Sequence, residues 1–590
     1  VLLEIHLLGV PRVVRDGQPA SAPRGHKPWG LLAWLLCGTP TSSRSHLAAQ
    51  LFENAEDPLA ALRWNLSELR RLLGGVDLGG DALSLSLPPQ TLVDVHVLSR
   101  PCGPDGLALP GLGRELLEGM RFDGAPAFAA WLDSQRRRFG ASSEALMREA
   151  ALARLGSGSA NEAAEIAARL VQLNPLDEHH QALLVRSLAA AGKGVAAARQ
   201  VAACTELFRK ELGIKPGSVL AAAAATTTSN AVGRPANGRA AAQAQLEAGE
   251  AAVRAGAHEA GLECLRRAAS EADALGDLGL RVRARLALGG ALVHAAKGRD
   301  EEGVVALHEA LAIAEPAGMP EAATACRELG YTEFLAGRYE RAIVWLDRAR
   351  SLAGEDATER SAIDTVHGAA LSDTAHYAPA EAMLLGAVSL AEQGAQTRQL
   401  AYALSMLGRV YLLRGDLDRA AATLDRSMSL ARTAWTAFVP WPQALRAEVD
   451  LKRGDIDRAS EGFEQAFALG CQLGDACWKS AAGRGRGLVA RARGQSAQAT
   501  EMLLEAVATC ARESDAYQWA RVNALASLCE VAVPQRLPQA RGWVDELLML
   551  ASRADMRELV ALAHRHASTL GDRGGALAAQ ALFDEILQGP

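Results

Sequence analysis

Aromatic residues make up only 4% of this 590-residue chain. Alanine and leucine far outnumber β-branched residues, so an all-β protein is excluded and most of the chain should be helical. Charge of one sign is missing as well. The 62 Lys and Arg against 68 Asp and Glu give a net charge of −6, which excludes a protein that coats nucleic acid through bulk charge. Any DNA contact has to come from a local site. No unbroken apolar run is longer than Leu31–Cys37, far short of the ~20 residues of a membrane span. Arg24 and Lys27 precede that run as in a signal peptide, but strand-like residues come first and no small-residue cleavage site follows. It reads as a buried helix. Nine cysteines without a C-x-x-C pair argue for reduced thiols in a cytoplasm and against a disulfide frame or zinc site.

Signatures of common catalytic sites are absent too. No G-x-x-x-x-G-K-[ST] occurs, and Gly192-Lys-Gly-Val lacks both the loop and the hydroxyl that would hold a metal. The 13 histidines form no H-E-x-x-H, and neither His179-His180 nor His564 with His566 shares a helical face. Gly483-Arg-Gly-Arg-Gly follows no strand, so it reads as helix packing and not as a phosphate loop. No catalytic constellation emerges, and neither a metal nor a cofactor is expected.

Three regions follow one another. Residues 1–100 carry strand character at Leu2–Leu8, Arg12–Arg15 and Gln18–Ala20, with an Asp16-Gly17 turn signal between the last two. Ala82–Leu87 alternates strictly, and Thr91–Leu98 is its expected partner beyond Pro88-Pro89. Helical segments lie between, near Pro28–Cys37, Ser43–Phe52 and Pro58–Leu73. Strands, three helices, then a hairpin is the order of a winged helix-turn-helix. Residues 101–220 are fully helical, and small residues and helix breakers at 221–239 mark a linker. Residues 240–590 repeat as helix, short turn, Ala- and Leu-rich helix. The turns fall near Gly256, Gly298, Gly337, Tyr377, Gly415, Gly454, Gly494, Arg536 and Gly574, 38 to 42 residues apart. The units Leu329–Ala342 and Leu407–Ala420 resemble tetratricopeptide repeats, with a Gly early in the first helix, an aromatic after it, and an Ala early in the second. About nine such pairs should stack into a superhelix with a concave surface.

The segment Leu59–Gly74 carries the local chemistry. At 100° per residue, Leu62, Leu66, Leu69 and Leu73 form a core-facing stripe. The opposite side presents Ala60, Trp64, Ser67 and Arg71, flanked by Arg63 and Arg70 on one side and Glu68 on the other. A major groove admits one helix with small, donor-bearing or basic residues outward. Arg63 and Ser67 are placed for base edges, and Arg70 and Arg71 for phosphates. Arg44 opens the preceding helix, where backbone N–H groups suit a phosphate. The bland alternative is a solvated amphipathic face. Residues 1–100 hold nine basic and nine acidic residues, so no basic footprint decides between the two.

Residues 1–220 resemble the bacterial transcriptional activator family that couples an OmpR-like winged helix to a bacterial transcriptional activation domain, as in the Streptomyces antibiotic regulatory proteins. The winged-helix part of the likeness rests on Leu7-Leu-Gly, Asp16-Gly, Gly30-Leu-Leu-Ala-Trp-Leu-Leu, Ser43-Arg-Ser-His-Leu, Leu62-Arg-Trp-Asn-Leu-Ser-Glu-Leu-Arg-Arg and Asp94-Val-His. The activation-domain part rests on Arg114-Glu-Leu-Leu-Glu-Gly, Phe128-Ala-Ala-Trp-Leu-Asp, Leu173-Asn-Pro-Leu-Asp-Glu and Leu207-Phe-Arg-Lys-Glu-Leu-Gly-Ile-Lys-Pro. The resemblance implies a regulator that binds promoter DNA, engages RNA polymerase and pairs as a homodimer. By position it implies that Arg63 and Ser67 belong to a recognition helix and Arg70-Arg71 to its basic end. Trp64, where members often have a polar residue, and Glu68, where they often carry Arg, depart from the pattern.

Within the repeats, Trp435, Trp441, Trp478, Tyr517, Trp519 and Trp543 fall in about 110 positions. They read either as ordinary helix packing or as a pocket for a protein, peptide or small-molecule effector, since aromatic anchors dominate recognition. The sequence thus predicts a mainly α protein: an α+β winged helix at 1–100, an all-α activation domain at 101–220 and an α-solenoid at 240–590. The expected function is cytoplasmic transcription control with an effector sensor, against the alternative of an adaptor whose winged helix no longer binds DNA.

Overall fold

The computed structural model describes residues 2–38, 43–80, 83–98, 104–226, 238–295, 299–511, 517–572 and 574–588. The first part builds β1 (Leu3–His6), β2 (Arg12–Arg15), β3 (Gln18–Pro19), α1 (Lys27–Cys37), α2 (Arg44–Phe52), α3 (Pro58–Leu73), β4 (Asp77–Gly79), β5 (Ser84–Ser86) and β6 (Leu92–Val93), then the short α4 (Asp94–Val97) and α5 (Pro104–Leu107). The run Leu31–Trp34 of α1 is buried. One strand pairing differs from expectation. β5 pairs antiparallel with β4, Leu85 opposite Leu78, and not with the segment from Thr91. Leu92–Val93 instead runs parallel to β1 and completes a sheet of order β3-β2-β1-β6. Pro88 and Pro89 have no N–H to give a ladder, so the hairpin ends there. Asp94 fixes the return, its carboxylate accepting the N–H groups of Leu7 and Leu8 at 2.8 and 2.9 Å. Ala82, expected to open the β5 strand, lies outside the described residues.

Next come α6 (Pro126–Gly156), α7 (Ala160–Leu173), α8 (Glu178–Ala190), α9 (Gly194–Leu212) and α10 (Ser218–Thr226). Packing does not break near residue 100. Leu8 bridges Leu116, the Gly9 N–H donates to the Glu115 carbonyl at 2.8 Å and the Leu117 N–H to the Leu7 carbonyl at 2.9 Å. Trp34 of α1 stands 4.6 Å from Trp131 of α6. The expected linker at 221–239 begins inside α10, where Ala223 is buried, because five successive alanines favour helix more than their low amphipathicity opposes it. Residues 227–237 of it lie outside the described residues.

The remainder forms nine helical pairs among the described residues: α11 (Arg239–Arg254) with α12 (His258–Leu275), α13 (Leu278–His294) with α14 (Asp300–Ala314), and α15 (Glu321–Leu335) with α16 (Tyr339–Ala353). There follow α17 (Ala357–Asp373) with α18 (Tyr377–Gln393), α19 (Thr397–Leu413) with α20 (Leu417–Ala434), and α21 (Pro440–Lys452) with α22 (Ile456–Leu473). The last are α23 (Ala476–Ala492) with α24 (Ser496–Ala511), α25 (Gln518–Ala532) with α26 (Ala540–Arg553), and α27 (Arg557–Thr569) with α28 (Gly575–Gln588). The turn expected at Gly298 lies outside the described residues. The glycine expected early in the first helix of a unit stands in its second half, Gly330 in α15 and Gly408 in α19, and it is there for contact. A Cβ on Gly330 would lie 2.9 Å from Leu346, and one on Gly408 2.6 Å from Leu424. Such overlaps would force the paired helices apart. Among the described residues no helix is long and apolar enough to cross a membrane.

The stack curls until early units meet late ones. Arg409 and Asp373, both without exposed side-chain surface, pair at 2.6 Å, and the Tyr517 hydroxyl donates to Asp373 at 2.6 Å. Arg409 also donates to Tyr517 at 2.6 Å and lies over the Trp519 ring at 4.6 Å. Beside this clasp, Arg557 donates to the carbonyls of Thr374 and Ala375 at 2.9 and 3.2 Å. Helix α6, 31 residues long, spans the gap as a strut. Its Arg138 pairs with Glu340 and, at 3.5 Å, with Asp555. Glu149 pairs with Arg341 at 2.5 Å, and Glu144 with Arg553 at 2.6 Å.

Two histidines pack against this strut. His308 abuts Gly156, with Glu333, Arg348 and Arg148 around it, and burial pushes its imidazole down to about 4. His564 meets Ser134 at 3.3 Å and is likewise held at about 4 by burial. Folded-state values below the unfolded 6.5 mean that the unfolded chain binds more protons between the two. Stability is therefore expected to be full above pH 6.5 and to fall as pH drops toward about 4, by up to roughly 3 kcal/mol per histidine. Calorimetric unfolding from pH 4 to 7 measures the slope, which His308→Gln should reduce. Asp373→Asn, which leaves a buried guanidinium unpaired, should cost about 3–5 kcal/mol at neutral pH, read from urea unfolding.

Candidate functional site

Helix α3 is set by its ends. Asp57 caps it by accepting the Ala60 N–H at 2.9 Å, Pro58 opens its first turn, and Gly74 closes it at φ +78°, a left-handed conformation that suits glycine. Its buried side holds Leu62, Leu66, Leu69 and Leu73, together with Leu72 and Asn65. The Asn65 amide donates to the Ala61 carbonyl at 2.8 Å, which lets a polar residue sit inward and explains why a polarity pattern misplaces it. Arg63, Trp64, Ser67, Arg70 and Arg71 are exposed, and Trp64 keeps 51% of its surface.

The cations on this face are engaged to different degrees. Arg70 donates to the Leu78 carbonyl, and Arg44, half-buried, donates through Nε to the Gly80 carbonyl at 3.1 Å. Both therefore hold the β4–β5 hairpin against the helices. Arg63 faces Asp57 at 3.8 Å, both about two-thirds exposed, and Arg71 pairs with Glu68 at 2.6 Å. The Arg63–Asp57 pair, exposed on both sides, is worth little and is readily exchanged. Arg15 on β2 reaches the end of α3 beside Gly74. The sequence pattern did not single it out, because only the sheet brings it there.

A second site lies inside the superhelix. A cavity of about 540 Å³ falls in the size range of small-molecule sites. Trp435, Trp441, Trp478 and Tyr517 line it with Tyr331, Phe334, Tyr402 and Phe438. The rings form a continuous wall. Trp435 stacks on Phe438 at 4.5 Å, Trp441 stands 5.3 Å from Trp478, and Phe334 stands 5.1 Å from Tyr517. Trp519 is not in that wall. It stacks behind Tyr517 at 6.0 Å, under the clasp arginine. Trp543 sits on α26, away from the lining.

The polar end of the cavity carries His294 and Arg327. Arg327 donates through Nε to Glu359 at 2.7 Å and through Nη1 to Glu328 at 2.6 Å, and His294 meets Glu328 at 2.8 Å. Burial would raise the Glu328 carboxyl, but Arg327 and His294 hold it down at about 2. Composition hid half of this lining, yet a signal was present. Tyr331, Val366, Tyr402, Trp441, Trp478 and Tyr517 succeed one another at 35 to 39 residues, one per unit.

Residues 111–226 match the family model described as the bacterial transcriptional activator domain. Among solved structures, a Rap protein complexed with competence and sporulation factor aligns over 59% of this chain and 97% of its own, at 13% identity and a TM-score of 0.43. Mycobacterium tuberculosis EmbR, in complex with a low-affinity phosphopeptide, aligns over 38% of this chain and 65% of its own, at 20% identity and 0.30. NprR in complex with its cognate peptide NprX aligns over 44% and 77%, at 13% identity and 0.34. No curated protein matches the chain.

Because the outward residues of α3 support no core, Arg63→Ala and Ser67→Ala should each change stability by less than about 0.5 kcal/mol. Leu66→Ala, on the buried side, should cost about 2–5 kcal/mol. Thermal unfolding of the three variants measures the contrast.

Proposed function

We propose that this chain, which carries a bacterial transcriptional activator domain at residues 111–226 and helical repeats behind it, is a transcription regulator that binds promoter DNA through α3. The observation that carries this reading is the uncovered face of Arg63, Trp64, Ser67 and Arg71, held on a helix whose other side is fully packed. A groove-entering helix needs that combination. In this reading Arg63 and Ser67 meet base edges, Arg71 meets phosphate, and Arg44 and Arg70 hold the hairpin as a wing while facing the backbone. The helical domain engages RNA polymerase and pairs two copies, and the aromatic cavity takes an effector. The setting is the cytoplasm.

A second reading has its own support. Arg44 and Arg70 donate to hairpin carbonyls, and Glu68 neutralises Arg71, as in an adaptor that has lost DNA. Genomic fragments selected with the purified full chain separate the two. Regulator binding should weaken steeply with salt, by a log–log slope of about −0.9 per phosphate contact. The Arg63→Ala, Arg71→Ala double variant should lose at least about tenfold in affinity, measured by fluorescence anisotropy. Equal retention by wild type and double variant at every salt concentration would favour the adaptor.

A further inference from the structure

The aromatic cavity states more than its size. This inference rests on reading it as the effector site and does not depend on α3. Its lining carries Arg327, Tyr331 and Tyr402 as hydrogen-bond donors. Arg327 spends Nε and Nη1 on Glu359 and Glu328, which leaves Nη2 free among the described residues. Burial keeps the hydroxyls of Tyr331 and Tyr402 protonated, hence able to donate. On the acceptor side, Asp475 is the sole carboxylate among the described lining residues, and it is occupied in capping α23 by accepting the Trp478 N–H at 3.0 Å. The carboxylates near this wall are each engaged, Glu359 and Glu328 by Arg327 and Asp475 by the Trp478 N–H. A flat apolar body would lie against the rings, while an acceptor group would satisfy donors that are costly to leave unmade.

We infer that the cavity binds an aromatic or fused-ring small molecule bearing an anionic or strongly accepting head group, with the rings against Trp435, Trp441, Trp478 and Tyr517 and the head group on Arg327. The Nη2 group gives a charge-assisted hydrogen bond to such a head group, so the head group sets selectivity and the rings set affinity.

Three probes of one shape and different charge test this on the full chain by titration calorimetry without DNA: naphthylacetate, naphthylacetamide and naphthylmethylammonium. The acid should bind saturably and at least about tenfold tighter than the amide, and the ammonium weakest. Arg327→Met should erase the preference for the acid while leaving amide binding within about twofold, and Trp478→Ala should weaken all three. Equal or tighter binding of the amide or ammonium to the wild-type protein would overturn the head-group assignment while keeping the cavity as a ligand site. Failure of all three probes would instead remove the effector reading itself. Binding that survives Trp478→Ala unchanged would place the probe elsewhere and overturn the inference. The wild-type series decides the question even if a variant fails to fold.

Discussion

The buried contact of Asp373 with Arg409 and Tyr517 is the constraint on which the rest of the structure depends. A stack of helical pairs is ordinarily open-ended, each unit touching only its neighbours. Here a carboxylate from α17, a guanidinium from α19 and a hydroxyl from the start of α25 share one dry site. Taking two charges out of water is costly unless their geometry and remaining hydrogen bonds are good. The arrangement therefore tolerates little variation in superhelical pitch, and it fixes how far the early and late units stand apart.

Two further features inherit that spacing. Helix α6 can bridge early and late units only if Glu340 and Arg341 on one side and Arg553 and Asp555 on the other hold their separation. The cavity inherits it as well, since Tyr517 belongs to both the clasp and the aromatic wall. A ligand pressing on Tyr517 thus touches the residue that closes the ring. Through α6, the ring is joined to the Trp34–Trp131 contact beneath the N-terminal helices. With the packing of α1 on α3, those contacts run without a break from the cavity to α3.

Much of this was legible in the residues. The repeat period placed the turns at Gly256, Gly337, Gly415, Gly454 and Gly494, all at positive φ, because a left-handed residue is needed where one helix doubles back on the next. The leucine stripe of α3 likewise follows from 3.6 residues per turn. What failed were matters of partnership. Leu92–Val93 leaves the hairpin for β1 because two prolines and Asp94 decide its direction, and no alternation pattern records that. Trp519 looked equivalent to Tyr517 in composition but stacks behind it, off the cavity wall. Tyr402 joins the cavity from the unit next before that of Trp441, and Arg327 and Tyr331 join it from two units further up.

The long reach of α6 also bears on synthesis. Its charged side leaves the ribosome almost 400 residues before the helices that complete it. At about 5–20 residues per second that is a wait of roughly 20–80 s. Glu144 waits for Arg553 throughout, whereas Glu340 and Arg341, the partners of Arg138 and Glu149, emerge about halfway. The helix has an apolar side as well, with Trp131, Phe139, Leu146 and Leu152 buried in the finished fold. Of these ion pairs, only those of Glu144 with Arg553 and of Arg138 with Asp555 have to wait for the end of the chain, so the strut is fastened in two stages.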